Sequence, residues 1–244
     1  MPKLPRFATA PAHVGAVDFG HVLVLVDYRT GRVQCVLPAA ATHWRHMAET
    51  GSLDTVPPTL AGRLLGARLL TPTVVPSPWP APASARAAAA SWGSAEYPAA
   101  VVPPAPAPIR ATLVAAAALA VVFTVKRAGD RATAMHRITT AVRAAMSTCR
   151  RPATPDQAKA AVLAVRHAGW HSPGRTACLE ESAATVLLLA SQRLAVTWCH
   201  GIAPDPVRLH AWVQTEDGTP VAEPPSTLTY SPVLTIGARH QHQP

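Results

Sequence analysis

The chain has 244 residues, of which 49% are hydrophobic and only 5% aromatic, so alanine and valine supply much of its apolar volume. That length and content are enough for two folded domains, and they exclude a chain too polar to bury a core. The formal net charge of +9 is spread unevenly, with +3 over residues 1–70, zero over 71–108, +8 over 109–170 and −2 over 171–244. The basic excess comes with no aromatic interleaving and no groove-reading motif, which speaks against nucleic acid as the partner.

In chain order, Met1 to Phe7 are followed by no apolar core of the signal-peptide kind, which predicts a cytoplasmic protein with reduced thiols. Residues 22–26 read as a strand, 27–31 as a turn and 32–37 as a second strand. Pro38 then opens a helix over 39–50 that has Ala40, His43, Trp44 and Met47 on one side and stops at Gly51. A second apolar-faced helix is predicted over 59–70. A hairpin followed by helices makes a small winged-helix-like module, which we place at residues 1–72.

The run Val22-Leu23-Val24-Leu25-Val26-Asp27, the turn Arg29-Thr30-Gly31-Arg32, Leu37-Pro38 and Trp44 resemble the PqqD-like recognition elements of peptide-modifying pathways. The resemblance implies a module that binds a leader peptide. The strand edge at Val33, Gln34, Cys35 and Val36 would accept an extended peptide as an added strand, and Leu64 on the second helix would line a side-chain pocket. A capping role with a solvated turn and a DNA-binding winged helix are the alternatives.

Residues 71–108 hold ten of the 26 prolines, among them Pro76, Pro78, Pro80 and Pro82, and an alanine run at 87–90. Such a composition predicts an extended or disordered linker, set at 73–108, onto which Trp79, Trp92 and Tyr97 offer docking points. The apolar run 113–125 is only 13 residues long before Lys126 and Arg127. That is short of the ~20 needed to cross a bilayer, so a buried helix of the second domain is expected. Its basic neighbours Lys126, Arg127, Arg131, Arg137, Arg143, Arg150 and Arg151 form either a solvated face or one that steers an acidic peptide, a partner protein or a membrane surface. Peripheral membrane contact has no further support.

The last quarter carries the chemistry. Pro173 and Gly174 break the chain, Thr176 is a fair N-cap, and Leu179, Ala183, Val186, Leu187, Ala190 and Leu194 recur at helical spacing. Cys178 therefore begins a helix, where unpaired N–H groups favour a thiolate and Glu180 and Glu181 oppose it. Residues 209–215 alternate as a strand, 216–219 turn at Asp217-Gly218, and 220–223 return. Taken as a two-residue loop, this pairs 216 with 219 and 212 with 223. Glu223 then lies diagonal to His210, within reach of its imidazole. Asp217 is a rival, but it stands about six residues, or roughly 20 Å, along the hairpin from His210. Thiol nucleophile Cys178, base His210 and orienting acid Glu223 make an acyl-transfer constellation.

The other cysteines, Cys35, Cys149 and Cys199, read as structural, and no Cys-x-x-Cys spacing supports a redox or zinc-ribbon site. Cys199-His200 near His210 is a weak metal candidate, because neighbours on a strand face opposite ways. No metal site is therefore expected. His240-Gln241-His242 reads as part of a frayed tail at 239–244.

Cys178-Leu179, Ser182, Gly201-Ile202, Asp205-Pro206-Val207, His210-Ala211-Trp212-Val213, Gly218, an acid at 223 and Tyr230 resemble the leader peptidases of lasso-peptide biosynthesis, members of the transglutaminase-like cysteine-protease group. The departures are Gln214 where the family usually has an acid, a turn one residue longer, and Glu223 where aspartate is common. The resemblance implies an α+β chain in which the winged-helix-like module joins a transglutaminase/papain-like cysteine protease domain at 109–238. It further implies a lasso-peptide precursor as substrate, an asparagine-synthetase-like cyclase as partner, no cofactor of the chain's own, and ATP dependence only through that cyclase. An amine in place of water as the acyl acceptor, and a binding protein in which Cys178 is structural, are the alternatives.

Overall fold

The structure, a computed structural model, describes residues 4–85, 103–174, 176–204 and 206–237 and divides the chain into two compact units, 1–87 and 88–244. The alanine run, Trp92, Tyr97, Asp205 and the tail lie outside the described residues.

In the first unit, Leu23-Val24-Leu25-Val26 offers no polar face, and the strand it forms is interior. This strand, β3 (Leu23–Asp27), is buried at every position between β2 (Val14–Asp18) and β4 (Arg32–Val36), both antiparallel to it. The turn into β4 is closed by Asp27, whose carboxylate accepts from the Arg29 N–H at 2.8 Å and the Thr30 hydroxyl at 2.6 Å. Strand β6 (Ala83–Ser84) adds in parallel to β2, so the hairpin read from sequence is part of a four-stranded sheet in the order β4-β3-β2-β6. A separate ribbon pairs β1 (Phe7–Thr9) with β5 (Thr71–Thr73).

Helix α1 (Pro38–Thr50) buries Ala41, Trp44, Met47 and Ala48, one position round from the side expected, and ends where Gly51 adopts φ +67°. Helix α2 (Pro58–Gly66) ends four residues before the predicted limit. Arg68 turns into the left-handed region, and the Leu69 N–H bonds back to the Leu64 carbonyl at 3.0 Å. Leu64 itself is 4% exposed and packs with Trp44, Met47, Leu69 and Leu70 in the core, so it lines no open pocket. On β4, Cys35 is exposed and Val33, Gln34 and Val36 are half-buried, and the strand ends the sheet among the described residues.

The second unit wraps three helices and a sheet around a fourth helix. Helices α3 (Ile109–Arg127), α4 (Ala134–Met146) and α5 (Pro155–Trp170) precede α6 (Cys178–Ser191), which packs against all three. Thr154 and Gln157 cap α5 reciprocally, at 3.2 and 3.0 Å, with Pro155 at its first position. A two-stranded parallel pair, β7 (Arg151–Pro152) and β8 (Leu194–Ala195), precedes the antiparallel sheet. There β9 (Thr197–Ala203), buried throughout, lies between β10 (Arg208–Gln214) and β11 (Ser231–Ile236). Trp198 on β9 donates its indole N–H to the Ser182 hydroxyl on α6 at 2.9 Å, which joins sheet to helix inside the core.

The expected buried helix at 113–125 is instead half-open. Ala115, Ala118, Leu119 and Val122 are buried, whereas Ile109, Leu113, Val114 and Val121 face out. By length and composition alone, α3 is long and apolar enough to cross a membrane.

Gly201 on β9 sits opposite His210. A Cβ there would lie 2.7 Å from the Trp212 ring and 2.8 Å from the Ser231 carbonyl oxygen, one neighbour on each flanking segment. Gly201→Ala is expected to lower stability by about 1–3 kcal/mol through overpacking. A thermal or urea unfolding curve indistinguishable from wild type would contradict that account of the sheet.

Candidate active site

Cys178 is the first residue of α6, after Ala177 in extended conformation. Thr176 is not the cap that the sequence suggested. Its hydroxyl bonds the Glu181 carboxylate at 2.9 Å, and Glu180 reaches back instead to accept the Ala177 N–H at 3.2 Å. Glu180 is only 3% exposed, and Lys126 from α3 pairs with it. Burial raises the pKa of Glu181, against the opposing effects of the Thr176 hydroxyl and the Arg166 charge. Both carboxylates expected to repel a thiolate at Cys178 are thus engaged elsewhere.

His210 stands on β10, its ring stacked on Trp212 at 5.6 Å and tilted against Tyr230 at 5.1 Å. Its Nε2 meets Glu223 Oε2 at 2.7 Å, and its ring lines one small cavity together with Cys178. With Nε2 taken by the acid, Nδ1 is the nitrogen left for sulfur. Burial disfavours charge on this imidazole. The hydrogen bonds to Cys178 and Glu223, together with their negative charge, outweigh it and raise the pKa to about 9.

The route by which Glu223 arrives differs from the expected one. The hairpin loop has three residues, 216–218, with Gly218 at φ +84° and the Thr215 N–H bonded to the Thr219 carbonyl at 3.1 Å. Gln214 therefore pairs with Pro220, and the return segment is one residue out of the predicted register. Ala222 then takes φ +52°, breaking the extended run and turning Glu223 toward His210. Asp217 stays in the turn, accepting from the Thr215 and Thr219 hydroxyls at 2.5 and 3.0 Å; these bonds hold its pKa down.

Two contributors escaped the sequence reading. Thr227 donates to Glu223 Oε2 at 3.0 Å, and Arg166 on α5 donates to Glu223 Oε1 at 2.5 Å. Burial would raise the Glu223 pKa, but the His210 hydrogen bond and the Arg166 charge lower it. The one hint in the sequence is a lone arginine in the apolar stretch of α5, between Val165 and His167.

Cys178, His210, Glu223, Arg166 and Glu181 line one cavity of about 110 Å³. A larger one of about 440 Å³, with Cys149, Arg143, Arg150 and Arg151 on its walls, has no histidine among its described lining residues. Burial pushes the Cys199 thiol up to about 12 and, with the His210 charge, the His200 imidazole down to about 4. Among the described residues, no group of three His, Cys, Asp or Glu side chains comes together as a metal site.

No curated protein and no solved structure matches the chain. Residues 117–235, from within α3 to within β11, match the transglutaminase-like superfamily. That stretch includes Cys178, His210 and Glu223, and the chain accordingly carries a transglutaminase-like superfamily domain at residues 117–235.

Proposed function

We propose that the protein is a cysteine peptidase that removes the leader from a ribosomally made lasso-peptide precursor. The observation that carries the thiol chemistry is the convergence of Cys178, His210 and Glu223 on one cavity, with His210 bonded to Glu223 at 2.7 Å. In a transglutaminase-like domain this arrangement suits attack on an acyl carbon. The narrower substrate reading rests on the residues around the three, Cys178-Leu179 with Ser182 and His210-Ala211-Trp212-Val213, and on the PqqD-like pattern of the first unit.

The Cys178 thiolate attacks the carbonyl at the leader–core junction, and the backbone N–H of Cys178, unpaired at the helix start, stabilises the oxyanion. Imidazolium His210 gives its proton to the departing amine as the C–N bond breaks, leaving a thioester on Cys178. Water then attacks that thioester, His210 takes its proton, and the thiolate returns. Glu223 holds the ring with Nδ1 toward sulfur throughout. The first unit binds the leader along the β4 edge, at Val33 to Val36, and the freed core amine passes to an asparagine-synthetase-like cyclase that supplies the ATP dependence. The fold equally accommodates an amine as acceptor, which would make the reaction a transamidation.

Incubating the precursor with the protein, the cyclase and ATP, followed by mass spectrometry, distinguishes these outcomes. Wild type is expected to release free leader, and Cys178→Ala to lose at least about 10³-fold in rate. Equal release by both would remove the thiol from the chemistry, and leader joined to an added amine would identify transamidation. Glu223→Gln is expected to slow cleavage by about 10²-fold or more while the precursor still binds. The pH dependence follows from His210. Its imidazolium, needed as the acid, persists until the pH passes about 9, so activity is expected to fall on the alkaline side near that value. An alkaline limb near the ordinary 6.5 would mean that the Cys178–His210–Glu223 contacts do not hold in solution.

A further inference from the structure

Arg166 touches three residues of the site, on two segments, at once. On α5 it lies opposite both the start of α6 and the turn after β10, and its two terminal nitrogens divide between neighbouring residues of that turn. Nη1 donates to the Ala222 carbonyl at 2.5 Å and Nη2 to Glu223 Oε1 at 2.5 Å. Its Nε lies 3.8 Å from Glu181 Oε2, three residues beyond Cys178 on α6. Ala222 is one of three non-glycine residues with positive φ among those described, and such a conformation persists where its surroundings hold it. The Arg166 bond to its carbonyl is the tie at that point. The Glu223 side chain is 6% exposed, so each of its oxygens needs a partner. Oε1 has Arg166, and Oε2 is left for His210 and Thr227.

We propose that Arg166 is the positioning residue of this site: its guanidinium fork fixes the Ala222–Glu223 turn against α6, so that Glu223 presents a single oxygen to His210. This rests on the roles given above to Cys178, His210 and Glu223. Arg166 touches no reacting atom. A planar fork reaches two acceptors that an ammonium, as a point charge, does not hold together, so the geometry calls for arginine and not merely for a cation.

The test requires no substrate. The groups facing His210 are Cys178 from α6, His200 from β9, Glu223 and Tyr230, and none of these residues is itself altered when Arg166 alone is changed. The titration of the His210 ring is followed by NMR in the full chain, with its resonance assigned by its loss in His210→Gln. Wild type is expected to titrate near 9. Arg166→Lys keeps the charge but loses the fork, and its midpoint is expected to move toward 6.5 as Glu223 swings away. Removing a bystander cation in Arg166→Gln would raise the midpoint by Coulomb's law, whereas loss of positioning lowers it, so the sign decides. Should the Gln variant fail to fold, the Lys variant carries the test. A wild-type midpoint near 9 that is unchanged in Arg166→Lys overturns the positioning role alone. A wild-type midpoint near 6.5 instead sinks the underlying Cys178–His210–Glu223 arrangement, and the positioning role with it.

Discussion

Helix α6 is enclosed along most of its length, by α3, α4 and α5 on one side and by β9 and β10 on the other, with Ala183, Ala184, Val186 and Leu189 buried. A helix sealed in this way meets open space only near its ends. Cys178 occupies the first position, half-buried, among N–H groups that have no partner within the helix. The same enclosure buries Glu180, and a buried carboxylate is tolerated only when paired, which Lys126 provides. The Trp198–Ser182 bond then ties β9 to this helix. Because His210 stands beside β9 at Gly201, that tie also sets how far the imidazole lies from sulfur.

The site is a balance of charges more than a single pair. Glu180, Glu181 and Glu223 bring three carboxylates toward one thiol, and Lys126 and Arg166 bring two cations. The third carboxylate faces His210, whose raised pKa makes it the remaining cation at neutral pH. A thiolate at Cys178 would therefore meet an imidazolium, with the nearby negative charges already paired. Each pairing partner comes from a different element, so the balance exists only in the folded unit.

This explains what the sequence disclosed and what it did not. The helix at 178–191 was readable because its apolar residues repeat at three and four, and the strand bearing His210 because Leu209 to Val213 runs up to a strong turn signal. The register after that turn was not readable. It depends on a three-residue loop in place of a two-residue one and on a left-handed alanine at 222, a conformation that alanine does not announce. Strand β11 opens with Ser231-Pro232, and β2 includes Gly15, so neither shows a clean alternation, and both went unread. Leu64 looked like a pocket wall because an apolar helix face is the same in sequence whether it meets a core or a ligand. Arg166 was hidden because its partners lie 15, 56 and 57 residues away and meet it only through tertiary packing.

The three-residue loop also bears on why glutamate, and not the shorter aspartate, suits position 223. Glu223 leaves the backbone just after the reversed Ala222, so its Cα is not at the strand position diagonal to His210. From there one side chain has to span two demands, with one oxygen on Arg166 at α5 and the other on His210 and Thr227. Aspartate is shorter by one carbon–carbon bond, about 1.5 Å. On the same backbone it meets one of these demands by giving up the other, since hydrogen bonds weaken steeply beyond about 3.2 Å. The longer acid, the extended loop and the arginine fork are thus one solution to a single geometric problem. The loop sets where the backbone runs, and the length of the glutamate together with its second anchor brings the carboxylate to the imidazole.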